Sequence, residues 1–179
     1  MPSKAFFADS SLQKVSRMII IAPGARVSPL ADIEDSIRGS KITIEDGAVI
    51  DSFVKIKFAG GDGDILIGRN AVVNAGCVIY SGHGVVLGAN SRIAANTTLV
   101  GAEHEYRDRS KTIWEQRFTP SRGGILIEED VWIGTQCVLL DGSILRKGCV
   151  VGAHSLVRTE LEAYSVNVGI PTKRVGYRE

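Results

Sequence analysis

The feature that most restricts the fold of this chain is an aliphatic residue at every sixth position. From Ile127 a step of six lands on Ile133, Leu139, Leu145, Val151 and Val157 without a gap. Upstream the same step runs in threes: Ile21–Val27–Ile33, Ile44–Ile50–Ile56, Ile67–Val73–Ile79 and Leu87–Ile93–Leu99. Every slip in the step follows a third anchor. The gap is eleven residues from Ile33 to Ile44 and from Ile56 to Ile67, eight from Ile79 to Leu87, and twenty-eight from Leu99 to Ile127. Three six-residue sides that close one turn, with inserted residues leaving at a single corner, satisfy this pattern. A chance alternation of apolar residues would not keep its slips at one phase.

The other positions of the six supply the mechanism. Four residues after the anchor, the first two repeats of each turn carry Ala25, Ala31, Ala48, Val54, Ala71, Cys77, Ser91, Thr97, Val131, Cys137, Cys149 and Ser155. A narrow triangular prism holds one large and one small side chain per side. Three residues after the anchor stand Gly24, Gly47, Asn70, Gly76, Asn90, Asn96, Asp130, Gly142 and Gly148, types that tolerate the positive φ of a tight corner. Pro23–Gly24 is the pair that a type II turn prefers. Ile and Val together outnumber Leu more than threefold, and there are 20 Gly, a composition of short strands and turns. The expectation is an all-β chain of about six three-sided coils, roughly 30 Å tall at the strand spacing of a sheet. The coil is expected over residues 21–161, with a long loop at 105–126. Residues 1–20 are expected as an arm or short helix, and 162–179 as a polar C-terminal extension.

Composition limits the partners. A formal charge of +1 gives no reason to expect nucleic acid, and 44% hydrophobic with 23% charged residues suits a folded globule. The early apolar run Met18–Ala22 is too short for a membrane span or a signal core. Three cysteines, an odd number all at small inward positions, read as reduced thiols in the cytoplasm. Gly60–Asp64 (GGDGD) lacks the Lys-Ser/Thr of a phosphate loop and reads as a corner loop.

The stretch TTLVGAEHEYRDR, followed after the loop by GGILIEEDVWIGTQCVLLDGSILRKGCVVGAHSLV and then VGIPTKRVGYR, resembles the sugar and antibiotic O-acetyltransferases of the hexapeptide-repeat type, among them the maltose and galactoside enzymes. The likeness spans about residues 21–178. It implies a left-handed parallel β-helix, whereas the usual rule for parallel crossovers would give the right-handed form. It also implies acetyl-CoA as co-substrate, no metal, and a homotrimer with active sites between subunits. In that pattern His104, where the long loop departs, is the general base, and Asn74 contacts a small-molecule acceptor. His83 leaves at the same corner one turn earlier, where relatives often carry an acidic acceptor contact. For acetyl-CoA the likeness points to Trp132, Gly134, Thr135, Gly152 and Ala153, with Arg158, Lys173 and Arg178 near the nucleotide phosphates.

The chemistry suits these residues. A neutral imidazole can take the proton of a hydroxyl as it attacks a thioester, and thiolate leaves without help. No G-x-S-x-G elbow is present, so a serine acyl-enzyme has no support. Bland readings stand beside the functional ones. Asn74 can be a corner amide, Gly134 and Gly152 can serve coil geometry alone, and a basic tail can simply be solvated. Three other functions stay open. One is N-acetylation of a nucleotide-linked amino sugar; another is a scaffold without catalysis. The third is a metal-dependent hydratase on a similar prism, like the carbonic anhydrases of this shape, which needs three convergent histidines. The chain has three in all, with His154 far along the repeat from the other two.

Overall fold

In the computed structural model, residues 18–179 are described. The strands, numbered along the chain, stack into three sheets that form the sides of a triangular prism. The first sheet holds β1 (Ile19–Ile21), β4 (Ile42–Ile44), β7 (Ile65–Ile67), β10 (Val85–Leu87), β13 (Ile125–Ile127), β16 (Ser143–Leu145) and β19 (Glu160–Leu161). The second holds β2 (Arg26–Val27), β5 (Val49–Ile50), β8 (Val72–Val73), β11 (Arg92–Ile93), β14 (Trp132–Ile133), β17 (Val150–Val151), β20 (Ser165–Val168) and β21 (Lys173–Tyr177). The third holds β3 (Asp32–Ile33), β6 (Lys55–Lys57), β9 (Val78–Tyr80), β12 (Thr98–Val100), β15 (Val138–Leu140) and β18 (Leu156–Val157). All pairings are parallel except β20 with β21, and the coil is the left-handed parallel β-helix.

Register follows the six-residue step. In the first sheet Ile21, Ile44, Ile67, Leu87, Ile127 and Leu145 face one another across successive coils. Val27, Ile50, Val73, Ile93, Ile133 and Val151 do so in the second sheet. From Ile44 to Val157 each anchor is buried, and each such side chain contributes roughly 1.5–3 kcal/mol by leaving water. At the first coil the column opens, with Ile21 46% exposed. The small positions also link coils. Ser91 Oγ donates to Glu128 O at 2.9 Å and accepts from Val131 N, and Thr97 Oγ1 donates to Gly134 O at 2.9 Å. Cys77, Cys137 and Cys149 are buried free thiols in this layer.

Corner geometry matches the pattern with one correction. Gly47, Asn70, Gly76, Asn90, Asn96, Asp130, Gly142 and Gly148 adopt positive φ, and so do Phe53, Gln136, His154 and Tyr164 at the same phase. Gly24 does not, so Ala22–Ala25 is not the type II turn that Pro23–Gly24 suggests. A Cβ at Gly24 would stand 2.1 Å from Asp46 Oδ1, which accepts the Gly24 N–H, so a side chain there would make this exposed carboxylate shift.

The ends also differ from expectation. The arm or helix expected over residues 1–20 lies outside the described residues up to residue 17, and Ile19–Ile21 is already a coil strand. At the other end the chain does not leave as a polar tail. β20 continues the second sheet on β17, and β21 folds back antiparallel on it. Asn167 takes the anchor position opposite Val151, where Nδ2 donates to Ser165 Oγ at 2.8 Å. A polar anchor hid this strand from the repeat. Among the described residues no helix is long and apolar enough to cross a membrane.

Candidate active site

The longest insertion leaves the corner between the third and first sheets and is tied to itself and to the coil. Its two ends run antiparallel: Glu103 O accepts from Thr119 N at 2.8 Å, Arg117 O accepts from Glu105 N at 3.0 Å, and His104 bridges Phe118 between them. At the tip is a single helical turn, α1 (Ile113–Gln116), closed by a capping box in which Thr112 and Glu115 satisfy each other's backbone. Gln116 fastens the far side, its Oε1 accepting from Asp108 N at 2.9 Å and its Nε2 donating to Asp108 O at 3.0 Å. The returning strand is held by Asp141, a buried carboxylate that accepts from Arg122 N at 2.7 Å and Gly124 N at 2.8 Å.

This frame orients His104. Its ring lies on Phe118, centroids 4.6 Å apart and planes 29° apart. Nδ1 is 3.1 Å from Arg117 O. A carbonyl oxygen can only accept, so Nδ1 carries the proton and Nε2 of the neutral ring is left with its lone pair. Arg117 itself sits at φ 65°, ψ −134°, a conformation that costs a non-glycine residue about 1–3 kcal/mol. Its guanidinium rests 4.5 Å over the Trp114 ring, which helps to hold it there.

Two recesses of opposite character meet at His104. One, of about 280 Å³, is apolar and lined by Tyr80, Val100, Ala102 and Phe118 beside Gly60. The other, of about 330 Å³, is lined by Arg107, Arg122 and Arg158 with Glu103 and Tyr106. Tyr80, Phe118 and the Arg117 carbonyl are absent from the sequence reading. The loop carries one local signal, the T-x-x-E of Thr112–Glu115, but a carbonyl has no residue type to read.

The other candidates fall at two corners. His83 shares the corner of His104 one coil earlier; its backbone N–H donates to Gly101 O at 3.0 Å, and its ring Nε2 is buried without a hydrogen-bond partner. Arg158 lies at this corner too, and lines a recess with His104. Asn74, Gly134, Thr135, Gly152 and Ala153 stand instead at the corner between the second and third sheets. Asn74 Nδ2 donates to Ile93 O at 2.8 Å, and Thr135 Oγ1 to Ala95 O at 2.6 Å. A Cβ on Gly134 would stand 2.5 Å from Ala153 N, so coil stacking alone demands glycine there. Trp132, half-exposed at the start of β14, shares a recess with Arg92 and Arg178, and Arg178 is paired with Asp130 at 2.9 Å. Lys173 opens β21 and is exposed. His154 occupies the second-to-third corner, away from His83 and His104. Among the described residues no three metal-ligating side chains converge.

The six-residue repeat and the three-sheet parallel prism it builds are the features along which this chain compares with known proteins. The family described as "Hexapeptide repeat of succinyl-transferase" matches residues 65–81 and 124–155. Galactoside O-acetyltransferase of Escherichia coli (strain K12) is 31% identical over 110 residues, 62% of this chain and 52% of that one. The dTDP-4-amino-4,6-dideoxy-D-glucose acyltransferase of Escherichia coli is 27% identical over 148 residues, 69% of this chain and 77% of that one. The chain spans between 27% and 77% of the length of the curated relatives compared. Among solved structures, a mutant of AntD, an N-acyltransferase from Bacillus cereus in complex with dTDP and coenzyme A, superposes with a TM-score of 0.76 at 19% identity, covering 98% of this chain and 92% of that one. The chain is thus similar in repeat, in sequence and in fold to hexapeptide-repeat acyltransferases.

Proposed function

We propose that this chain is an acetyl-CoA-dependent acetyltransferase acting on a hydroxyl of a sugar or related small molecule, with His104 as general base. The observation that carries the reading is the fixed Nδ1–H of His104 on the Arg117 carbonyl at the meeting point of two recesses. Nε2 takes the proton from the acceptor hydroxyl. As it does so, the Arg117 carbonyl favours the imidazolium by accepting from Nδ1. Bound acetyl-CoA supplies the activated acyl group, and its thiolate departs unaided.

The second-to-third corner fits a pantetheine arm. Among the described residues the Thr135 and Ala153 N–H groups donate to no other backbone group. Gly152 and Ala153 add no bulk, and Trp132 stands beside them on the outer face. This corner and the corner of His104 are separated by a full side of the prism, so one chain does not bring base and cofactor together. We read the assembly as a homotrimer in which neighbours complete each site, with Asn74 of one chain near His104 of another. Buried free thiols and the need for acetyl-CoA support a cytoplasmic reading.

N-acylation of a nucleotide-linked amino sugar is the second reading, favoured by the similarity to the E. coli dTDP-sugar acyltransferase. A thiol-release assay with acetyl-CoA over sugars, amino sugars and nucleotide-linked sugars tests both. Release that depends on a hydroxyl acceptor supports the first reading, and release only with amines supports the second. Acetyl-CoA binding without release on any acceptor would leave a scaffold.

A further inference from the structure

Resting on that reading, we infer that the acceptor carries a phosphate beside the group that is acetylated, and that Arg158, Arg122 and Arg107 receive it. The three guanidiniums come from separate parts of the chain: the outgoing arm of the loop, its returning arm, and the end of β18 two coils above His104. They line one recess with the imidazole. Two are already balanced. Arg122 donates to Glu103 at 3.0 Å and Arg107 to Glu105 at 3.0 Å. Arg158 has no ion pair among the described residues, so its charge is left over. An uncompensated arginine beside two ion-paired ones, against a general base, is an arrangement that can take two or more phosphate oxygens by charge-assisted hydrogen bonds.

The place of the recess points to the acceptor rather than to the phosphates of CoA. Sequence likeness put Arg158 with Lys173 and Arg178 on the nucleotide end of the cofactor. Within one chain Arg178 is tied to Asp130 near Trp132, and Arg158 stands at the corner of His104. Whatever contacts Nε2 lies against this recess on one side and against Tyr80, Val100 and Phe118 on the other. An acceptor with an anionic end and a less polar ring face meets both surfaces. A sugar phosphate and a nucleotide-diphosphate sugar share this chemistry.

The test is calorimetric binding to the full chain with CoA held saturating, using glucose 1-phosphate and uridine diphosphate as probes and glucose and uridine as neutral controls. We expect at least one phosphorylated probe to bind roughly tenfold or more tightly than its control, and Arg158→Gln to remove most of that difference. Whichever phosphate probe responds separates the two sources. Equal binding of phosphorylated and neutral probes overturns the inference, as does a phosphate probe that competes with CoA. Binding does not depend on turnover, so the result stands apart from the acetyl-transfer reading. A protein that acetylates neutral sugars and ignores phosphate keeps that reading and loses this one.

Discussion

His104 Nδ1 donates to the carbonyl oxygen of Arg117, thirteen residues away, and Arg117 is the residue of the loop held at positive φ that is not glycine. The base is therefore aimed by a backbone atom whose position depends on one strained dihedral. The Thr112–Glu115 capping box on one side and the Phe118 stack on the other fix that dihedral.

Arg117→Gly should keep most of kcat, because glycine adopts this φ without strain. Arg117→Val should lower kcat by about 10- to 100-fold, since a β-branched residue will not stay there and a shift of the carbonyl near 1 Å misplaces the imidazole. Thermal stability of the coil should change little in either variant. Steady-state kinetics with a Tm measurement checks this, and a fully active Val variant would refute the role of the carbonyl.

His104→Ala should cut kcat about 10²–10⁴-fold while acetyl-CoA binding is kept, as the residues read as holding the cofactor are others. If an amine is the true acceptor, the loss should be smaller. Turnover and equilibrium binding measured on the same folded variant decide the matter.

Asp141→Ala should weaken the fold by about 1–3 kcal/mol, because the buried N–H of Gly124 and the part-buried N–H of Arg122 lose their acceptor. Urea denaturation gives the loss. Limited proteolysis should then cut within the 105–122 loop before the coil.

Gly134→Ala should cost about 1–3 kcal/mol, because the added methyl meets the Ala153 backbone rather than a side chain that can turn away. A variant with wild-type stability and weakened CoA binding would instead make this glycine a ligand-contact residue alone.

Burial pushes the Cys77 thiol up from 9.0 to about 11 and the Cys149 thiol from 9.0 to about 12. The folded state thus holds these protons after the unfolded chain has released them. Stability should be full below pH 9 and fall as the pH rises from there through 11 to 12. Unfolding curves at pH 8 and 10.5 test the sign. At pH 8 the native protein should react slowly with a thiol reagent and release all three thiols only in denaturant.

The coil was readable from the sequence because stacking makes each anchor answer to the ones six residues away and one coil away. Ile44, Ile67 and Leu87 satisfy both conditions and could hardly be placed otherwise. The reading stopped where that double constraint stops. Asn167 holds an anchor site with an amide, so the last strand of the second sheet went unseen. Gly24 has the right residue type for a positive-φ corner but does not adopt one, and its N–H donates to the Asp46 carboxylate. The departure corner of His104 was visible as the longest slip in the step. Its surroundings were not, since Tyr80, Phe118 and Arg158 come from three different coils or loops with no repeat to align them.

Each coil pairs only with the coil before and the coil after it. Such a stack behaves as a one-dimensional chain of coupled units, whose stability is a sum of neighbour terms rather than a property of one shared centre. Opening then starts at an end and travels inward, and protection of backbone amides from exchange should rise from β1–β3 toward the middle coils. The loop that carries His104 springs from the fourth of these coils, remote from the frayed start. The site thus sits on the stretch of the stack that opens last.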